Sequence, residues 1–302
     1  MNQQFLTELK AVTAENRIFT DEPMKKHTTF RVGGPADVLI QPKRAELASV
    51  IRLCREYDIP YQVIGNGSNL LVGDRGIRGA VIVMLSKKDE ICVEDDCITV
   101  GAGMLLSKTA NCAAEHGLTG MEFAAGIPGS IGGAVVMNAG AYGGEMKDIL
   151  TAVTVLDKDG NEKKLTVEEL ELGYRTSCIL KKGYIITEAK MKLLHGEEKE
   201  IRARMDELKK QRVEKQPLEF PSAGSTFKRP EGYFAGKLIM DAGLRGYQVG
   251  DAQVSEKHCG FVINRGNATA ADVRTLMQNV SDIVEEKFDV RLEPEVKITG
   301  EF

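Results

Sequence analysis

The sequence predicts an α+β protein assembled from three segments, and three observations carry that expectation. Its 302 residues suit two or three domains at about 100–200 residues each. The apolar pattern changes along the chain: a β-α-β unit comes first, then a hairpin with an alternating strand, and finally a long amphipathic helix. Gln216-Pro217 through Pro221-Ser222 then punctuates the start of the last third.

Taken in order, residues 1–20 read as an amphipathic helix with Phe5, Leu6, Leu9 and Val12 on one side. Residues 37–40 read as a short strand, and 44–57 as a helix with Leu47, Val50, Ile51 and Cys54 at helical spacing. Pro60 punctuates, and strands follow at 61–64 and 80–85. The middle third opens with a strand at 97–100 and a helix at 105–116, with Gly117 as its stop. A glycine-dense stretch, 126–144, interrupts regular structure. Residues 151–157 and 162–165, joined by Asp159-Gly160, read as a hairpin. Residues 185–193 alternate as a half-buried strand, and 198–213 form a charged helix. The segment from Ser177 to Gly183 is expected to run straight into the 185–193 strand. The last strong element is a helix over 270–288, with Thr269 as its cap and Asp272 completing a capping box. Val273, Leu276, Met277, Val280, Ile283 and Val284 form its buried face.

Composition narrows the function classes. Apolar residues make up 42% and charged residues 28%, which fits a globular protein and excludes disorder. A formal net charge of -4 gives no reason to expect nucleic-acid binding. The longest apolar runs are too short to span a bilayer, and the N-terminus lacks the continuous apolar core of a signal peptide. The expected location is therefore the cytoplasm. None of the six cysteines forms a CxxC pair, and the four histidines form neither HxH nor HExxH, so no metal site is expected.

Two glycine clusters stand out. Gly65-Asn66-Gly67-Ser68-Asn69 follows a strand, where small residues let backbone N–H groups approach an anion. It reads equally as a diphosphate cradle or a tight turn. It is not a Rossmann fingerprint, because Leu70 stands at the third glycine. Ala125-Gly126-Ile127-Pro128-Gly129-Ser130-Ile131-Gly132-Gly133-Ala134 and Met137-Asn138-Ala139-Gly140-Ala141-Tyr142 suggest backbone laid against a flat ligand, or a buried crossover loop. Single residues are weaker signals. Arg31 and Arg175 suit anions, but each alone is more often a surface or structural charge. Ser225 follows small residues without the GxSxG elbow, and Glu295 follows Pro294.

Six motifs nevertheless occur in one order. They are His27-Thr28-Thr29-Phe30-Arg31-Val32-Gly33-Gly34-Pro35, the two glycine clusters, Tyr174-Arg175-Thr176-Ser177, Ser222-Ala223-Gly224-Ser225-Thr226-Phe227-Lys228 and Leu292-Glu293-Pro294-Glu295-Val296. Together they resemble the UDP-N-acetylenolpyruvoylglucosamine reductase family over residues 20–300, in its shorter branch without an inserted tyrosine loop. Departures are Lys228-Arg229-Pro230, where Lys-Asn-Pro is familiar, and His258-Cys259-Gly260-Phe261, where His-Ala-Asn-Phe is more usual.

The resemblance implies an FAD-binding fold of the vanillyl-alcohol-oxidase (PCMH) type, with a C-terminal α/β substrate domain. Residues 1–90 and 91–214 would be the two FAD-binding subdomains, and 215–302 the substrate domain. Non-covalent FAD would lie against Arg31, Gly65, Asn66, Gly67, Ser68, Asn69, Gly126, Pro128, Gly129, Ser130, Gly132, Gly133, Ala134 and Asn138. NADPH would supply the hydride. UDP-N-acetylglucosamine enolpyruvate, a peptidoglycan precursor, would be the substrate, contacted by Tyr174, Lys228, Arg229, Arg245 and Lys257. Arg175, Ser225 and Glu295 match the catalytic positions, with Ser225 the proton donor and Glu295 placed to hydrogen-bond the substrate carboxylate or to orient Arg175. A monomer is expected. Two alternatives stay open: another oxidase of this fold, with flavin tethered through His27, and a binding module without catalysis.

Overall fold

The computed structural model describes residues 2–84 and 91–302, so Leu85, expected to close the third strand, and position 90, an expected domain boundary, lie outside the described residues. The chain divides into two compact units. The first takes Met1–Phe19, Val38–Asn66 and Gly79–Arg212, and the second takes Thr20–Asp37, Gly67–Arg78 and Val213–Phe302.

In the first unit, the N-terminal helix is Gln3–Val12, capped by Asn2, whose Oδ1 accepts from Gln4 N at 2.9 Å. It is shorter than the helix expected over 1–20. Thr13 turns extended, and the β-branched and aromatic residues after it enter a strand, Ile18–Pro23. The helix Arg44–Glu56 begins where Glu46 accepts from Lys43 N at 2.8 Å. Phe5 and Leu9 meet Leu47, Val50, Ile51 and Cys54 from that helix in one core. Ala80 and Ile82 join them from the strand Ile77–Val83, which pairs parallel with Tyr61–Ile64. The strand Pro35–Ile40 precedes that helix and lies in the same sheet, so the β-α-β reading of this region holds.

A second core of the same unit underlies a five-stranded antiparallel sheet. Its order is Glu162–Thr166, Leu150–Leu156, Ile185–Lys192, Cys97–Gly101 and Ile91–Glu94. The expected hairpin forms its outer pair, and Ile186, Ala189 and Met191 reach the core. The helix Leu106–Glu115 ends as expected before Gly117, at φ 63°. Two expectations need correction. The glycine-dense stretch contains a helix, Ile131–Val136, because Ser130 caps it and Ile131, Ala134 and Val135 are buried. Core burial there outweighs the poor helix propensity of two glycines. The segment after Arg175 likewise forms a short helix, Cys178–Lys182, before the strand; burial of Cys178 and Ile179 holds it and Gly183 in the left-handed region ends it.

The second unit centres on the helix Ala270–Phe288 and a four-stranded antiparallel sheet. The sheet order is Ser222–Ser225, Phe261–Asn264, Ala252–Val254 and Gln248–Val249. The capping box is as expected: Asp272 N donates to Thr269 Oγ1 and Thr269 N to Asp272 Oδ2, both at 3.0 Å. Asp74 adds a cap from a distant part of the chain, accepting from Ala270 N at 2.8 Å and Ala271 N at 2.9 Å. The strand Leu70–Val72 pairs parallel with Lys297–Thr299. Among the described residues, no helix is long and apolar enough to cross a membrane.

Candidate active site

The two glycine clusters meet within the first unit. Gly65 follows its strand so close to Ser130 that a Cβ there would lie 2.0 Å from Ser130 Oγ. The Asn66 side-chain amide donates to Pro128 O at 2.7 Å. Leu106 N donates to Gly129 O at 3.0 Å and Gly132 N to Ala102 O at 2.8 Å, which fixes the second cluster from behind. Ser130 is 3% exposed, and its Oγ accepts from Gly133 N at 3.4 Å. Arg212 donates to Gly126 O and so holds the start of the cluster. Among the described residues, no acceptor takes the N–H of Asn66, Gly129 or Ser130. Crowding that admits no side chain, combined with unspent N–H groups, is what a diphosphate needs from a backbone. The residues present fit FAD on that ground.

The second unit holds the remainder of the first loop. Gly67 has φ 61°, and a Cβ there would lie 1.9 Å from His27 O. Thr29 N donates to Gly67 O at 3.2 Å, and Arg31 is exposed at φ 57° at the end of the same turn.

Ser225 and Glu295 are brought together by backbone pairing inside the second unit. Ser225 ends the strand Ser222–Ser225, opposite Phe261, and is exposed. The next residues then run against the C-terminal segment. Glu295 N donates to Thr226 O at 2.9 Å, Phe227 bridges Pro294, and Lys228 N donates to Glu293 O at 2.8 Å. Thr226 is the hub that sequence reasoning missed. It is 1% exposed, its N–H donates to Gly260 O at 2.9 Å, and its hydroxyl accepts from Val262 N at 2.9 Å. A lone threonine inside a quoted motif gives no sequence signal for this. Asn69 also reaches this segment, its side-chain amide donating to Glu295 O at 3.1 Å.

The expected substrate contacts have protein partners. Lys228 Nζ lies 2.9 Å from Glu293 Oε2, and that hydrogen bond holds the Glu293 carboxyl below its usual range. Arg245 donates to Glu256 O, Lys257 Nζ donates to Val213 O at 2.7 Å, and the Arg229 guanidinium lies 4.0 Å from the Phe234 ring centre. In the first unit, Arg175 sits at φ 53° beside Tyr174, 5.2 Å from its ring centre, and donates to Gly140 O at 3.3 Å. Asn138 is fully buried, with its amide bonded to Glu145 and Gly173. Among the described residues, no group of three or more His, Cys, Asp or Glu could hold a metal ion.

Known proteins resemble this chain over its full length. Residues 35–166 match the FAD binding domain model, and residues 216–299 match the C-terminal domain of UDP-N-acetylenolpyruvoylglucosamine reductase. The UDP-N-acetylenolpyruvoylglucosamine reductase of Agathobacter rectalis is 57% identical, covering 100% of both chains. That of Lachnoclostridium phytofermentans is 55% identical, covering 100% of this chain and 99% of its own. The crystal structure of the Thermus caldophilus UDP-N-acetylenolpyruvylglucosamine reductase superposes with a TM-score of 0.79 at 42% identity, covering 91% of this chain and 97% of that one. The expected α+β FAD-binding fold with its C-terminal domain stands. On full-length identity and on both matched domains, the chain belongs to the UDP-N-acetylenolpyruvoylglucosamine reductase family and is an FAD-binding oxidoreductase.

Proposed function

We propose that this enzyme reduces UDP-N-acetylglucosamine enolpyruvate to UDP-N-acetylmuramate at the expense of NADPH, in peptidoglycan precursor synthesis. The observation that carries the reading is the pairing of residues 225–228 with 293–296, which sets the Ser225 hydroxyl and the Glu295 carboxyl on neighbouring backbones. FAD, when bound, would supply the hydride transfer from NADPH to C3 of the enolpyruvyl group. Addition at C3 puts negative charge on the substrate carboxylate, and the double bond is consumed when a proton reaches C2. Arg175, always charged, would stabilise that carboxylate; fixed charge aimed at developing charge is often the largest catalytic contribution. Ser225 would give its proton to C2. Lys228, one residue beyond Phe227, would support the oxygen that Ser225 leaves charged. Glu295 would hydrogen-bond the carboxylate or orient Arg175.

The cofactor is held without a covalent bond by residues 65–69 and 126–134 and by Arg31, with Asn138 bordering it through its main chain alone. Tyr174, Lys228, Arg229, Arg245 and Lys257 contact the sugar nucleotide. Residues 1–90 and 91–214 serve the flavin and 215–302 the substrate, and the enzyme acts as a cytoplasmic monomer. The test is NADPH consumption with and without the enolpyruvyl substrate. Consumption should depend on that substrate and yield the saturated lactyl ether in equal amount. NADPH oxidation indifferent to the substrate would overturn the reading.

A further inference from the structure

Asn138 occupies an unusual position in the first unit. It is 0% exposed and adopts φ 40°, in the left-handed region that asparagine tolerates better than most residues. Its side-chain amide donates to Glu145 Oε2 at 2.8 Å and to Gly173 O at 3.2 Å. Its Oδ1 accepts from Lys147 N at 2.9 Å. Both amide protons and the amide oxygen are thus engaged with protein.

The Gly173 bond is the informative one. Gly173 and Thr176 close a tight turn, Gly173 N donating to Thr176 O at 3.1 Å and Thr176 N to Gly173 O at 3.3 Å. Tyr174 and Arg175 form its tip, and Arg175 there takes φ 53°. The Arg175 guanidinium in turn donates to Gly140 O, two residues beyond Asn138. One buried amide therefore anchors the base of the turn that presents the guanidinium and the chain segment that receives it. Glu145 extends the anchor, since its carboxylate is shared between Asn138 and the Lys147 ammonium, which raises the Lys147 pKa. Few side chains meet the demand: two donors for a carboxylate and a carbonyl, one acceptor for an N–H, and comfort at positive φ. Aspartate would lose both donors and set a second carboxylate against Glu145.

We propose that Asn138 is a positioning residue that acts through Arg175, fixing the guanidinium for the charge that develops on the substrate carboxylate. This inference rests on the role assigned to Arg175 above, and it gives the Asn138 side chain a task other than flavin contact.

A double-mutant cycle tests it on the full-length flavoprotein. Asn138→Gly keeps the left-handed backbone and removes the amide. It should retain flavin and its reduction by NADPH at close to the wild-type rate. Reoxidation of the reduced enzyme by the enolpyruvyl substrate should slow about 10–100-fold, the scale of a misplacement near 1 Å. In an Arg175→Ala background, adding Asn138→Gly should cause no further loss, because the group it positions is already gone. Independent, multiplicative losses in the double variant would overturn the proposal, and so would equal slowing of both half-reactions. Should Asn138→Gly fail to retain flavin, Asn138→Ser, which removes the paired donors without adding a charge, enters the same cycle. If Arg175→Ala itself reoxidises at the wild-type rate, the reading of Arg175 has failed, and Asn138 has nothing to position.

Discussion

Gly65 directly follows a short strand and Ser225 ends one, yet their surroundings are opposite. At Gly65 the fold has removed a side chain because there is no room: Ser130 Oγ occupies the place of a Cβ. At Ser225 the fold has cleared space. Gly224 before it has φ 76°, with nothing within 4 Å of where a Cβ would lie, and the Ser225 side chain is exposed. The region around Gly65 is thus packed too closely to admit a further side chain. The Ser225 region is built from side chains held on paired backbones. Substitutions should fail in different ways on the two sides, by loss of the cofactor on one and loss of chemistry on the other.

The largest separation is expected from Ser225→Ala. Flavin content and reduction by NADPH should stay close to wild type, while reoxidation by the enolpyruvyl substrate slows by ~10³-fold or more, about 4 kcal/mol of transition-state stabilisation. Rapid-mixing measurement of the two half-reactions checks this. Equal losses in both would remove Ser225 as proton donor and collapse the contrast between the regions.

Gly65→Ala should show the converse behaviour. Its new methyl group would strike Ser130 Oγ, and overpacking of this kind costs about 1–3 kcal/mol. Flavin occupancy, read from the visible absorbance of the purified protein, should drop, and both half-reactions should fall with it. Ser130→Ala in the same chain removes the struck oxygen and should restore part of the occupancy. Gly224→Ala meets no neighbour, so it should cost only the backbone strain of positive φ, about 1 kcal/mol, with flavin retained. If Gly65→Ala keeps full flavin, crowding at Ser130 is not what shapes the cradle.

Asp74→Ala is a smaller change that should leave both chemistries alone. Asp74 caps the first turn of the helix Ala270–Phe288 alongside Thr269. Losing a cap with charge costs about 1–2 kcal/mol. Thermal or denaturant unfolding should register it, with flavin occupancy and both half-reaction rates close to wild type. A selective loss of the substrate half-reaction would mean that this helix does more than support the sheet.

The same contrast explains what the sequence made legible. Helices and strands with strong periodicity read well, down to the Thr269 and Asp272 cap, because local propensity and burial agree there. The helix Ile131–Val136 did not, because its two glycines speak against the helix that core burial imposes. The two glycine clusters announced themselves as glycine density, since backbone packed this closely must be written in small residues. Ser225 and Glu295 carry no such signature. They are 70 positions apart by number, and the pairing of residues 226–228 with 293–295 brings their backbones together. Order among known motifs could point to them, but spacing could not. Asn69, Asp74, Thr226 and Asn138 act through hydrogen bonds to distant main chain, which no local pattern records.

The smallest effect concerns how the Ser225 strand is buttressed. Thr226 leans on Gly260 O, and Gly260 N donates to His258 Nδ1 at 3.1 Å. Burial lowers the His258 pKa from its ordinary 6.5, and an Nδ1 that accepts a hydrogen bond must be unprotonated. The fold therefore prefers neutral His258. Above 6.5 both folded and unfolded chains hold it neutral, and its contribution to stability is fully present. As pH falls through 6.5 the unfolded chain takes up the proton first, so stability declines until the folded protein protonates as well. Denaturant midpoints should accordingly be lower at about pH 5.5 than at about pH 8, and His258→Gln should flatten that difference. Nothing comparable is expected from Ser130, the corresponding support beside Gly65, because a hydroxyl does not titrate in this range. A wild-type midpoint that stays level or rises on acidification would show that the Gly260 contact does not depend on neutral imidazole, and the pH-sensitive half of the contrast would be lost.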